Sequence, residues 1–409
     1  MLPKRLAQFL NCRYNHVSFW KKCMMRWPAI VLKYSSLLPV PLSIITLFLL
    51  LMAMEWSLFD HFLFLWSVCE IGFFLSWKKK MQGRLIRKPY AVDLVKRGAM
   101  VKHCLTHAGD VQELFSRWML EQPNEPLHLE YSKPFINDMF FDKVPETMTP
   151  EEMVVAKEVY QIFHEHFSPN LKPNAPLENF RFMSPATDFF PRYPKPIITS
   201  LAIFTLGSLA YSILHSLGFR QHVTRRLSYW FLPGDSSEPP IMYIHGIGIG
   251  YTMYLPKIYS VLPAHPGRAV ILLDLPHISM LPTDLILDHD ETLQALDAMF
   301  LRHNLEKVTL VTHSYGTIVA SWIIQHRTQY LSKSLLVDPV CFMMVDPMLT
   351  YSFLYTKPKC ILHEMSRFFF STDPLISLAL TKKMTGTNLS STPSISPSPQ
   401  QSSYPEMIG

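Results

Sequence analysis

Cysteine is scarce in this 409-residue chain, and its six copies (Cys12, Cys23, Cys69, Cys104, Cys341 and Cys360) are scattered, with no CxxC pair. Neither a zinc module nor a disulfide scaffold is implied. The HExxH spacing is missing as well. "HEH" at residues 164–166 sets adjacent side chains about 100° apart on a helix, which does not aim two imidazoles at one ion, so no metal is expected. Nucleotide fingerprints are lacking too: Gly246, Gly248 and Gly250 read GxGxG and not GxGxxG, Asp274 is only an imitation of a ribose-binding acid, and no G-K-[ST] follows. No cofactor is called for.

Acidic residues are rare at the N-terminus. Residues 1–90 hold 13 Lys and Arg against Glu55, Asp60 and Glu70, about +10, so the formal net charge of +6 leaves the rest of the chain slightly acidic. Lys4, Arg5, Arg13, Lys21, Lys22, Arg26 and Lys33 run directly into "LLPVPLSIITLFLLLMAM", and that neighbour points to membrane lipids as the partner, with no nucleic acid.

The uncharged residues 37–54 are long enough to cross a hydrocarbon core of roughly 30 Å at 1.5 Å per residue. A second apolar stretch, residues 58–77, carries Asp60, His61 and Glu70 and stops at "KKK". Positive clusters on both sides suggest a hairpin with both ends cytoplasmic; an interfacial second segment is the alternative. A cleaved secretory signal fits poorly, because the apolar run starts only after a long basic segment. The expectation is an integral protein of an intracellular membrane such as the endoplasmic reticulum.

Five regions follow from the pattern: a basic N-terminus with membrane helices (1–90), an irregular helical connecting region (91–196), a third hydrophobic segment (197–219), an α/β core with the start of a lid (230–384) and a Ser/Pro-rich tail (385–409). In the second, Thr149 before Pro150, Glu151 and Glu152 marks a helix start running to about residue 167. The third carries no charged residue and either spans the membrane or docks on it. The tail has too little apolar surface to offset its ordering entropy and is expected to be disordered.

From residue 237 onward, "PPIMYIHGIGIG", "GRAVILLDLP", "KVTLVTHSYG" and "SKSLLVDPV" each hold a short continuous apolar run of the kind that strands covered on both faces require. Helical stretches alternate with them. The predicted fold class is α/β, a doubly wound and mostly parallel sheet.

Ser314 sits where the third of these strands turns into a helix, between His313 and Tyr315, with Gly316 giving the small residue such a turn needs. Thr312 departs from the usual G-x-S-x-G pattern and crowds the turn. Ser314 reads either as a nucleophile or as the cap of the following helix. "HGIGIG" after an earlier strand favours the nucleophile, because a loop of that kind aims backbone N–H groups at a developing oxyanion.

With "HGIG", "HSYG" and "LLVDPV" followed by "FLY", residues 238–345 resemble the α/β-hydrolase superfamily, most nearly a group of membrane-associated hydrolases from fungi and other eukaryotes. The resemblance implies Ser314 as nucleophile, the Ile247 and Tyr315 amides as oxyanion hole, and a site lined by His245, Gly246, Gly248 and His313. It implies Asp338, at the end of the strand after the elbow, as the acid, with a turn-forming role as the alternative. It also implies a histidine well beyond that acid. Only His363 follows Asp338 in the sequence, on an apolar stretch where packing is the competing role. One or two further strands are implied and not visible, so the core is expected to be incomplete at its C-terminus, through truncation or divergence. The activity implied is that of a membrane-anchored, lipase-like serine hydrolase acting on an ester, plausibly a lipid. A catalytically silent scaffold that keeps the hydrolase core is the alternative.

Overall fold

The computed structural model describes residues 38–52, 57–85, 111–120, 147–166, 190–281, 286–342 and 347–383, with a few isolated positions between them. The basic N-terminus, most of the Pro-rich connecting region and the Ser/Pro-rich tail lie outside the described residues.

Two apolar helices, α1 (Pro39–Met52) and α2 (Leu58–Leu85), pack against each other as a hairpin. A reciprocal cap starts α2: the Asp60 N–H donates to Ser57 Oγ at 3.2 Å while the Ser57 N–H donates to Asp60 Oδ2 at 2.8 Å. Within α2, Leu58–Lys79 is long and apolar enough to cross a membrane. The described α1 is shorter than the expected span over 37–54, since its 14 residues at 1.5 Å rise cover about 21 Å of a core of roughly 30 Å.

Helix α3 (Pro150–His166) begins as the sequence predicts. The Thr149 N–H donates to Glu152 Oε2 at 2.9 Å, and the Glu152 N–H donates to Thr149 Oγ1 at 3.3 Å. Helix α4 (Ile197–Ser216) is the second helix with the length and apolarity of a span.

The sheet follows: β1 (Arg220–Thr224), β2 (Leu227–Leu232), β3 (Ile241–Ile244), helix α5 (Leu255–Ala264), β4 (Val270–Leu273), α6 (His289–Arg302), β5 (Val308–His313), α7 (Gly316–His326) and β6 (Leu331–Val337). Its strand order is β1-β2-β4-β3-β5-β6. The β1–β2 and β2–β4 pairs are antiparallel, whereas β4, β3, β5 and β6 run parallel. This is a mostly parallel, doubly wound sheet. Every residue of β3 and β4 is buried, which is why those strands read as unbroken apolar runs.

Strands β1 and β2 correct the expected boundary at 230, because the sheet already begins at Arg220. They had no legible signal. Their two-residue turn is made by Arg225 and Arg226 at φ 45° and 72°, left-handed positions that glycine or asparagine ordinarily announces. The exposed edge strand "RQHVT" is polar along most of its length.

Among the described residues no strand follows β6. Residues 347–383 hold short helical segments and end in α8 (Pro374–Lys383), whose Ile376, Ala379 and Leu380 are buried in the main core. The part expected to begin a lid therefore includes a core helix. Its partner is the irregular stretch before α4: Arg192 donates to Ser377 Oγ at 3.0 Å and to Thr381 Oγ1 at 3.1 Å, and buried Lys195 donates to Phe368 O and Thr372 Oγ1.

Candidate active site

Ser314 lies between the end of β5 and the start of α7 at φ 49°, a left-handed backbone that costs an L-residue about 1–2 kcal/mol. The turn is held from two sides. The Ser314 N–H donates to Val337 O on β6 at 3.0 Å, and the Thr317 N–H donates to Ser314 O at 2.9 Å. Gly316 is needed because a Cβ there would lie 2.6 Å from Ile244 O, at the end of the neighbouring strand β3, and 2.8 Å from His245 O just beyond it. Thr312 is accommodated: it points into the interior, fully buried, while pairing with Ile244 and Leu336 in the sheet.

The HGIGIG loop leaves β3 and comes down on this turn. A Cβ on Gly246 would stand 2.9 Å from Ser314 Cβ and 3.0 Å from His313 O, so only glycine lets the two loops meet. The N–H groups of the loop are shared out unevenly. Gly246 donates to Tyr254 Oη at 2.8 Å and Gly248 donates to Ile278 O at 3.1 Å. The Ile247 N–H between them has no protein acceptor among the described residues. Tyr315, the other expected donor, is the N-cap residue of α7, where the helix dipole adds positive potential.

Two histidines border this arrangement without being free bases. His245 is fully buried: it accepts the Leu275 N–H at Nε2 (3.0 Å), which fixes the proton on Nδ1, and that proton goes to Gly246 O at 2.9 Å. Asp274 Oδ1 lies 3.8 Å from that Nε2, while Oδ2 accepts from Tyr211 at 2.7 Å. His313 lies 2.7 Å from Tyr254 Oη. That oxygen also accepts the Gly246 N–H, so one phenol joins the two loops. Burial holds the His313 pKa below the ordinary value, opposed in part by the Asp338 carboxylate, with Lys257 and His245 adding to the depression.

The expected triad is not assembled among the described residues. The Ser314 hydroxyl makes no hydrogen bond there. Asp338 ends β6 at φ 48° with an exposed carboxylate, and its charge acts on His313. His363 belongs to the short helix Ile361–Ser366, where its Nδ1 accepts the N–H of Lys359, just ahead of that helix, at 3.4 Å. The structure thus brings Ser314, Gly246, Ile247, Tyr315, His245 and His313 together and leaves His363 in another contact. No group of three or more His, Cys, Asp or Glu is placed to share a metal among the described residues.

Tyr251 and Tyr254 are the site residues that sequence reading missed. Their three-residue spacing after the loop reads as ordinary core packing. The signal available was their position directly behind HGIGIG, where a polar aromatic tip can bond the loop: Tyr254 Oη accepts the Gly246 N–H, while Tyr251 Oη is buried against the strand carbonyls of Tyr243 and Leu273.

No family model matches the chain, and no curated protein matches it. Among solved structures it is similar to the carboxylesterase CesB (YbfK) from Bacillus subtilis, at 12% identity over 44% of this chain and 71% of that one, with a TM-score of 0.31. It is similar to a membrane phospholipase A described as a novel bacterial virulence factor, at 16% identity over 46% and 69% of the two chains, TM-score 0.29. A third is from the carboxylesterases of the ammonia-oxidizing thaumarchaeon Nitrososphaera gargenis, at 17% identity over 41% and 72%, TM-score 0.28.

Proposed function

We propose that the chain is a membrane-anchored serine hydrolase, acting on an acyl ester at Ser314 and held in an intracellular membrane such as the endoplasmic reticulum. One observation carries the reading: Ser314 occupies a left-handed strand-to-helix turn against which Gly246 fits with no room for a methyl group. A residue that merely caps a helix needs neither the unusual backbone nor the second loop.

In this mechanism Ser314 Oγ bonds to the ester carbonyl carbon, and the carbonyl electron pair moves to oxygen, held by the Ile247 and Tyr315 N–H groups. Collapse breaks the carbon–oxygen bond, releases the alcohol and leaves an acyl-serine. Water then attacks the acyl group and frees the acid. The Ser314 proton has to pass through a base to the leaving alcohol, and no described imidazole is hydrogen-bonded to Ser314. The unbonded Ser314 hydroxyl favours a second reading, a catalytically silent module that keeps the hydrolase fold.

Labelling of the full chain in membranes with an active-site fluorophosphonate separates the two. The hydrolase reading expects an adduct on the wild type and none on Ser314→Ala with its fold retained. An unlabelled wild type would support the silent module.

A further inference from the structure

Helix α4 is not an anchor standing clear of the hydrolase domain. Ile203, Gly207, Ala210 and Leu214 form a stripe at three- and four-residue spacing that is buried on one side of the helix. Leu214 belongs to the same cluster as Trp230, Tyr243 and Leu272 of the sheet, and Gly207 lies against Leu281. Tyr211 donates to Asp274 at the end of β4. Thr252 Oγ1, in the turn between the oxyanion loop and α5, reaches Leu206 O at 3.4 Å. The helix is thus welded lengthwise to the loop that faces Ser314.

Its opposite side is apolar and bare. Ile198, Leu201, Phe204 and Leu209 are each more than half exposed, and the 20-residue helix carries no Asp, Glu, Lys or Arg. Two hydroxyls on that side are turned back onto the helix: Thr205 donates to Leu201 O at 2.8 Å and Ser212 to Ser208 O at 2.9 Å, so that on this face only exposed Ser208 has a hydroxyl without such a bond. Hydrocarbon demands that arrangement, because a polar hydrogen there has no water to bind. At its N-terminal end α4 meets the apolar hairpin, where buried Glu70 of α2 accepts the Ile197 N–H at 3.1 Å.

We infer that the outer face of α4 rests in the acyl-chain region of one leaflet and holds the mouth of the Ser314 site at the bilayer, where a membrane-resident lipid ester reaches it laterally. The occupant of the face is lipid hydrocarbon. Crossing the bilayer is excluded by the other face: it would carry the Gly250–Tyr254 turn, with exposed Lys257 one turn beyond, into the hydrocarbon core. The lipid-ester part rests on the reading of Ser314 as a nucleophile. The docking of α4 does not.

The test uses the full chain in phosphatidylcholine vesicles. In a background with the six cysteines changed to serine, Leu201→Cys and Leu209→Cys carry an environment-sensitive fluorophore, and Leu301→Cys, exposed on α6, serves as reference. The expected result is quenching by acyl-brominated lipid and shielding from aqueous iodide at 201 and 209, and the reverse at 301. Iodide quenching at all three sites would overturn the docking, and so would shielding without lipid quenching, which would mean that a protein surface covers the face.

A second arm keeps the native cysteines. Leu201→Lys with Leu209→Lys should retain fluorophosphonate labelling and hydrolysis of a short water-soluble ester, yet lose about tenfold or more of its activity on vesicle phospholipid, because lysine is expelled from hydrocarbon. Equal loss on both esters, or no loss on either, would overturn lateral access. An unlabelled wild type would refute the nucleophile and leave the quenching result standing.

Discussion

Gly246 and Ser314 meet so closely that a methyl group on Gly246 would lie 2.9 Å from Ser314 Cβ, with His313 Nδ1 and O at 3.0 Å. The HGIGIG loop and the turn at Ser314 are therefore one packed unit, although 68 positions separate the two residues in the sequence.

Gly246→Ala should leave the protein folded and slow fluorophosphonate labelling of Ser314 by about ten- to a hundredfold, since small misplacement of reacting groups carries penalties of that order. Gly316→Ala should act on stability instead. Its Cβ would press on backbone oxygens of β3 and His245, which cannot rotate away, so a loss of about 1–3 kcal/mol is expected in detergent-phase unfolding. Wild-type labelling and stability in both variants would refute this account.

Ser314→Gly separates strain from chemistry. At φ 49° glycine carries no Cβ penalty, and the gain of about 1–2 kcal/mol outweighs the extra freedom it gives the unfolded chain, worth about 0.5–1 kcal/mol. Thermal unfolding should shift upward while labelling disappears. A lower melting temperature would mean that the turn is relaxed.

Much of this was legible because it lives on local patterns. Each of the four apolar runs named from the sequence is a parallel strand, the Thr149 cap starts its helix, and the two glycine-bearing loops converge. What stayed hidden depends on contacts between distant positions. The β1–β2 hairpin turns on two arginines with positive φ, which no turn rule flags, and Tyr254 becomes a site residue only when the His313 loop arrives beside it. His363 shows the opposite limit. Its place after Asp338 suggested a base, but a residue's rank in the chain does not fix its direction, and the ring is engaged with Lys359.

Lys195 gives a stability dependence on pH. Burial drives its pKa down from 10.5 to about 8, with Asp373 opposing the shift. Between pH 8 and 10.5 the unfolded chain then holds a proton that the folded protein has lost, so this residue's contribution to stability rises with pH across that window and is flat below it. Lys195→Met should remove the rise in denaturant midpoints measured between these pH values. It should also loosen the contact between residues 190–196 and the C-terminal helices.

Tyr254 couples the two halves of the site through one oxygen. It accepts the Gly246 N–H at 2.8 Å and is hydrogen-bonded to His313 Nδ1 at 2.7 Å, fixing the loop that presents the Ile247 N–H against the residue that precedes Ser314. Tyr254→Phe keeps the ring and its packing and removes both bonds. The Gly246 N–H then loses its acceptor, and the loop can rotate by the small angle that spoils an oxyanion contact. Ester turnover, or the labelling rate where turnover is too slow to follow, should fall by about ten- to a hundredfold with KM little changed, because the loss falls on the transition state. A packing role alone would predict no loss of rate, because the phenylalanine ring fills the same space, and a variant with an unchanged rate would show that the tyrosine does only that.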